Sequence, residues 1–272
     1  MFIQSAPAGE AHFVIKQIDH ARLSGTLARA FGGGGFAPLA PADPMHYMVA
    51  HHDEGWQFLD DAPPFDPATG LPYHLTQTPL PLLLRTGKGS PDFNEKYHPY
   101  SGLLSSMHIT GLYNGRYGMS NFVFIENIPP QYADAARALL EHEANRQAFL
   151  RSVCANRPDC AHESDEGHVM CNYKRLQFFD TLAIYFHLRH PAQQIEQVFT
   201  YVPRTLTEDV NITIKPLGDQ RFGMSPWPFA GGPTLEVSCV GRYLHPAADE
   251  AAMRTAWEAA PIVYQTYRLE AL

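Results

Sequence analysis

Two short apolar runs open the chain, residues 1–4 and 12–15, separated by a turn at Pro7-Ala8-Gly9, a pattern that predicts a hairpin. Ile18, Leu23, Leu27, Ala30 and Phe31 then recur at helical spacing until glycines 32–35 end the run. An apolar stretch over 45–56 leads into HHDEGW. Residues 60–100 hold many Pro and Gly with little period and read as a long ordered loop, of the kind that often forms a lid. Helical patterns return at 101–112 and at 129–153, where Pro129-Pro130 precede Tyr132, Ala136, Leu139, Leu140 and Leu150. After a polar loop at 154–168, residues 170–190 form the most apolar helix, stopped by Pro191. Beyond it the period changes: 197–202, 210–215, 235–240 and 262–269 alternate or are β-branched, with a short helix at 247–259. The expectation is a mainly α protein: a helical domain over 1–192 with an N-terminal hairpin, and a β-rich extension over 193–272 packed on the same domain.

Composition narrows the partners. A net charge of −8 with no Lys/Arg-rich stretch disfavours a nucleic-acid partner. The first residues lack a basic segment followed by an apolar run, and no apolar stretch approaches the roughly 18 residues of a membrane span. Four cysteines are too few for a disulfide scaffold at this length. A cytoplasmic protein without a membrane partner is expected. With 14 histidines, a single His carries little information, and only those in a coherent setting count.

Asp180, in CNYKRLQFFDTLAIYFHLRH, is such a setting. Leu176, Ala183 and Ile184 share its helical face, and Phe178, Phe179, Leu182 and Phe186 cover most of the rest. A buried carboxylate costs several kcal/mol unless it is paired or metal-bound. Its partner is a cation, or else backbone, Lys174 or Arg175. His20 lies on the stripe of Leu23 and Leu27, where it is either a core histidine or a ligand, with Gln17 one turn earlier to orient it. His52-Asp53 is an adjacent pair, in which Asp53 could instead cap a helix. Together these are two imidazoles and two carboxylates from three segments. That N/O set suits Fe, Mn, Co, Ni or Zn better than Ca.

The order His, His-Asp, then a distant Asp in an apolar helix resembles the H…HD…D signature of the HD-domain metal-dependent phosphohydrolase superfamily. QIDHARLSGTLARAF, AHHDEGW, LLSSMHITGLY, NRQAFL, LQFFDTLAIYF and SPWPFA resemble, over most of the chain, a bacterial HD-like family of unknown function. The resemblance implies an HD-domain-like helical bundle, with His20, His52, Asp53 and Asp180 as ligands of a divalent transition metal, one ion or two. It also implies hydrolysis of a phosphorylated, anionic small molecule by a metal-activated water. One alternative is the diiron-oxygenase branch of the superfamily, for which His74 and His98 would complete a second site. Another is a non-catalytic metal- or ligand-binding protein.

Other residues are candidates for support. His108, on an apolar helical stretch, is a candidate second-metal ligand or acid–base group, or a core histidine. Glu54, directly after the HD pair, is a candidate general base. Arg116 and Lys174, with Arg175, could hold an anionic substrate group. Glu143 and Arg146 read as a helix-face pair. Cys154, Cys160, His162 and Cys171 lack the close pairs of a structural zinc site, glycines 32–35 have no following GK[ST], and G-x-S-x-G is absent.

Overall fold

The computed structural model describes all 272 residues. The hairpin forms as expected from β1 (Phe2–Ile3) and β2 (His12–Ile15). It leads into α1 (Gln17–Ala30), and α2 (Ala42–Ala50) lies against it. A one-turn helix at Glu54–Trp56 runs into α3 (Gln57–Asp61), and β3 (Phe65–Asp66) pairs with β4 (Leu71–Pro72). Then come α4 (Leu80–Tyr97), α5 (Pro99–Tyr113), the turn α6 (Gly115–Gly118), α7 (Pro130–Ala155) and α8 (Glu166–Leu188). The chain ends with β5 (Gln197–Pro203), β6 (Asp209–Gly218), β7 (Arg221–Ser225), β8 (Thr234–Leu244), α9 (Glu250–Ala259) and β9 (Val263–Ala271).

The mainly α expectation is wrong. About 51% of the chain is helical, but seven strands form one large curled sheet in the order β1-β2-β8-β9-β7-β6-β5. The N-terminal hairpin is its edge, because β2 pairs with β8 from His12↔Leu244 to Val14↔Arg242. The C-terminal strands are therefore one wall of the protein. α8 packs across the sheet, with the Phe186 ring stacked on Tyr267 at 4.8 Å. One core of 39 buried residues runs from Phe2 and Leu27 through Tyr100 and Phe179 to Phe222 and Tyr267. Residues 1–192 and 193–272 thus share both sheet and core.

The predicted loop over 60–100 is also corrected. Its second half is the 18-residue helix α4, begun by Pro79 and a proline in its first turn. The small residues that hide its period are contact points. A Cβ on Gly89 would lie 3.0 Å from the Gly55 Cα, and one on Gly55 would lie 2.3 Å from the Thr86 carbonyl oxygen. The glycine run after α1 has a similar cause. Gly33 leaves no room for a Cβ beside the Phe229 carbonyl, and the Gly32 and Gly33 amides both donate to the Pro228 oxygen at 3.0 Å. This contact joins the end of α1 to the SPWPFA segment beside β7.

The crossing of α1 and α2 is tight. A Cβ on Gly25 would stand 2.5 Å from the Ala50 Cβ and 2.8 Å from its Cα. Alanine is the better helix former by about 1 kcal/mol, but overpacking a rigid crossing costs about 1–3 kcal/mol or more. The clash should win. Gly25→Ala is expected to lower stability in urea unfolding, and an unchanged or raised midpoint would show that the two helices part cheaply.

Candidate metal centre

Four elements converge beneath this crossing. α1 supplies His20, α5 supplies His108, and α8 supplies Asp180, all buried. His52 and Asp53 come from the break between α2 and the turn at Glu54–Trp56, where Asp53 has φ −109 and ψ 19 and its side chain caps no helix. On a continuous helix, neighbouring side chains diverge by about 100°. The break removes that limit and lets both reach one point.

The ligand atoms of His20, His52 and Asp180 lie within 4.8 Å of one another, as do those of His52, Asp53 and His108. His52 Nδ1 donates to the Val49 carbonyl at 2.8 Å, which in the neutral ring puts the lone pair on Nε2. That Nε2 is fully buried and has no hydrogen-bond partner, although it lies 3.6 Å from Asp53 Oδ2 and 3.9 Å from Asp180 Oδ1. His20 Nε2 is 3.0 Å from Asp180 Oδ1. A buried lone pair facing two carboxylates is costly without a cation and ordinary with one. The structure thus brings together His and Asp groups that can hold a metal ion.

The surrounding residues orient these groups. His20 Nδ1 meets His187 Nδ1 at 3.2 Å, and Phe2 packs over both rings. Gln177 contacts His108 Nδ1 through its amide nitrogen at 2.8 Å, while its buried Oε1 has no partner. Turned over, that amide accepts from Nδ1–H and frees His108 Nε2 as a ligand. Neither His187 nor Gln177 was picked out from the sequence. Both lie on the stripe of Asp180, Gln177 one turn before it and His187 two turns after. Gln17, expected to orient His20, is buried with neither amide atom hydrogen-bonded.

Burial keeps His108 neutral, with a pKa lowered to about 3, and lowers that of His187 well below the ordinary value. Burial pushes the Asp53 carboxyl upward, with His52 and His20 opposing. Asp180 feels the same desolvation, but the His20 hydrogen bond and the nearby histidines hold it below the usual carboxylate range.

Several candidates are placed elsewhere. Glu54 is 2.6 Å from Arg22 and 2.7 Å from His51. Burial would raise its pKa, but hydrogen bonds from His51 and Arg22 overturn that and lower it. It is an ion-pair partner rather than a base at the cluster. Lys174 is held by Asp209 at 2.5 Å, beside a second cleft that Arg116 also lines. His74 and His98 cap helices rather than build a second site. His98, Asp159 and Cys160 do gather, but Arg157 occupies both Asp159 oxygens, at 3.0 and 2.7 Å. Arg146 ties α7 to α4 through Asp92 and Glu95, and all four cysteines are free. Arg116 forms no ion pair and lines a cleft of about 360 Å³ that reaches Asp53.

The family model described as a protein of unknown function (DUF3891) matches residues 3–246, which include the whole cluster. The chain belongs to the DUF3891 family. No curated protein and no solved structure matches it. No helix is long and apolar enough to cross a membrane.

Proposed function

We propose that the protein is a metal-dependent hydrolase of a phosphorylated small molecule, in which His20, His52, Asp53 and Asp180 hold one divalent transition-metal ion. The observation that carries the reading is the buried, unpartnered Nε2 of His52, set between two carboxylates and fixed in its tautomer by Val49. A bound ion of this kind supplies Lewis acidity, which lowers the pKa of water and polarises a phosphoryl oxygen. The protein's own residues supply the rest. Asp53 is the ligand that borders the cleft, so a substrate entering there meets the cluster at that edge. His108, buried and neutral beside His52, can accept a hydrogen bond at Nε2 and so orient the attacking water. Arg116 is the one cation free in the cleft wall to hold an anionic group. The order of the four ligands along the chain, the same as the H…HD…D signature of HD phosphohydrolases, supports the reading.

A single ion is favoured over two. Both groups of ligand atoms use His52, whose one free nitrogen can bind only one ion, and His74 and His98 add no second set. This weighs against the diiron-oxygenase alternative. The test is to titrate metal-free protein with Mn(II), Co(II), Zn(II) and Fe(II), measuring stoichiometry, phosphate release from phosphomonoesters and oxygen uptake. One ion per chain with phosphate release is expected. Two irons with oxygen consumption would replace the proposal with an oxygenase, and bound metal without either turnover would leave a binding protein.

A further inference from the structure

The cleft that ends on Asp53 has a composition that restricts the organic part of the substrate. Leu83, Ile109, Tyr113 and Phe124 help form its walls, and its outer parts include Phe122 and Leu112, which are 62% and 40% exposed. Arg116 is the only cation lining it and Asp53 the only acid. Of the lining threonines and serine, Thr86 donates to the Leu83 carbonyl, Thr76 is hydrogen-bonded to His74 Nδ1 and Ser120 accepts from the Phe122 amide. A ribose and a base would therefore set many donors and acceptors against hydrocarbon, which a polar group tolerates poorly. A chain of phosphates would need further cations, and Arg116 alone is offered.

Arg116 is built into its place. It and Tyr117 both have φ near +54, a left-handed conformation that side-chain-bearing residues rarely adopt. The turn is held by the Tyr117 amide donating to Asn114 Oδ1 at 3.0 Å and the Ser120 amide donating to the Gly115 oxygen at 2.9 Å. Strained backbone that carries an unpaired guanidinium at a cleft is a common feature of ligand clamps.

We infer that the substrate is a phosphomonoester of an apolar alcohol, aryl or short alkyl, and that nucleotides are poor substrates. The cleft volume of about 360 Å³ suits a small aromatic body with one phosphate group. This rests on the hydrolase reading. In the reaction, a water oxygen bonds to phosphorus, the ester P–O bond breaks, and the proton released by the water ends on the departing alcohol, leaving inorganic phosphate.

The test separates ligand class from chemistry. With Mn(II)-loaded full-length protein, calorimetry would compare 1-naphthylphosphonate, methylphosphonate and adenosine 5′-monophosphate, while phosphate release is followed from 1-naphthyl phosphate, methyl phosphate and the nucleotide. Naphthylphosphonate should bind at least tenfold more tightly than either competitor. Leu112→Ala with Phe122→Ala, both at exposed positions, should shrink that preference several-fold. Arg116→Gln should weaken both phosphonates. Preferential naphthyl binding without phosphate release would retain the ligand class and discard the hydrolase reading. Phosphate release with equal or better use of the nucleotide or methyl ester would retain the hydrolase and overturn this inference.

Discussion

Asp180→Asn protein, purified without added metal, is expected to carry less than a tenth of the wild type's bound divalent metal and to gain no thermal stability from Mn(II). Asparagine keeps the shape of the side chain but removes the charge that an ion between His20 and His52 requires, and the contact at 3.0 Å to His20 Nε2 becomes a neutral one. For the wild type, an ion present at a thousand times its dissociation constant contributes about 4 kcal/mol of stability. At about 2–4 °C per kcal/mol for a chain of this size, the melting temperature should rise by roughly 8–16 °C. The metal-free variant should melt close to the metal-free wild type, because a buried amide costs less than a buried carboxylate. Differential scanning calorimetry with elemental analysis reads both quantities. Full metal content and an undiminished shift in the variant would remove Asp180 from the ligand set, and the proposed function with it.

Half of the cluster was legible because Asp180 and His20 violate a local expectation, and the other half, His52-Asp53, through the H…HD…D resemblance. An acid among phenylalanines and a histidine on a leucine stripe are anomalies that sequence alone exposes; the structure groups both with His52, while Asp53 falls in a second group with His52 and His108. The orienting groups were less visible. His187 and Gln177 share the Asp180 stripe, but a His or Gln near a helix end is unremarkable until its partner is known, and the partner of His187 lies 167 positions away. Glu54 misled for the opposite reason: adjacency to the HD pair suggested a role, whereas the turn directs its side chain to Arg22 and His51. The sheet was hidden by its non-local pairing. Four of its C-terminal strands alternate clearly in the sequence, but nothing in β2 announces that it pairs with β8, about 230 positions later. The helix α4 was hidden by its glycines, which serve close contact with the Glu54–Trp56 turn and so dilute the apolar period that would have revealed it.

The metal-free protein should also begin to lose the stability tied to His108 near pH 6.5, more than two units above the range in which ordinary carboxylates titrate. His108 is buried and neutral in the fold, with its pKa lowered to about 3, whereas in the unfolded chain it titrates near 6.5. Between those values the unfolded chain binds a proton that the folded one refuses. The stability tied to this histidine is therefore fully present above pH 6.5 and falls as the pH drops, by about 1.4 kcal/mol per unit. At pH 4.5 the loss from His108 alone is roughly 3 kcal/mol. His187, depressed for the same reason, steepens the slope. Asp180, held below the usual carboxylate range, adds its loss only as the pH falls through and below about 4. Asp53, raised by burial, acts in the opposite direction, because the folded form takes up its proton first. Outside the cluster, His74, lowered to about 4 by burial, and His46 add to the loss, while burial raises Asp60 to about 6 and also raises Asp19 and Glu143, which oppose it, so the share of His108 is read as a difference between wild type and a variant. Urea unfolding in the presence of a chelator at pH 7, 6 and 5 should show that acidification costs the wild type more than it costs His108→Gln. The same pH dependence in both proteins would mean that His108 binds a proton in the fold as freely as in water, and that the site beneath α1 and α2 is open to solvent rather than closed around its ligands.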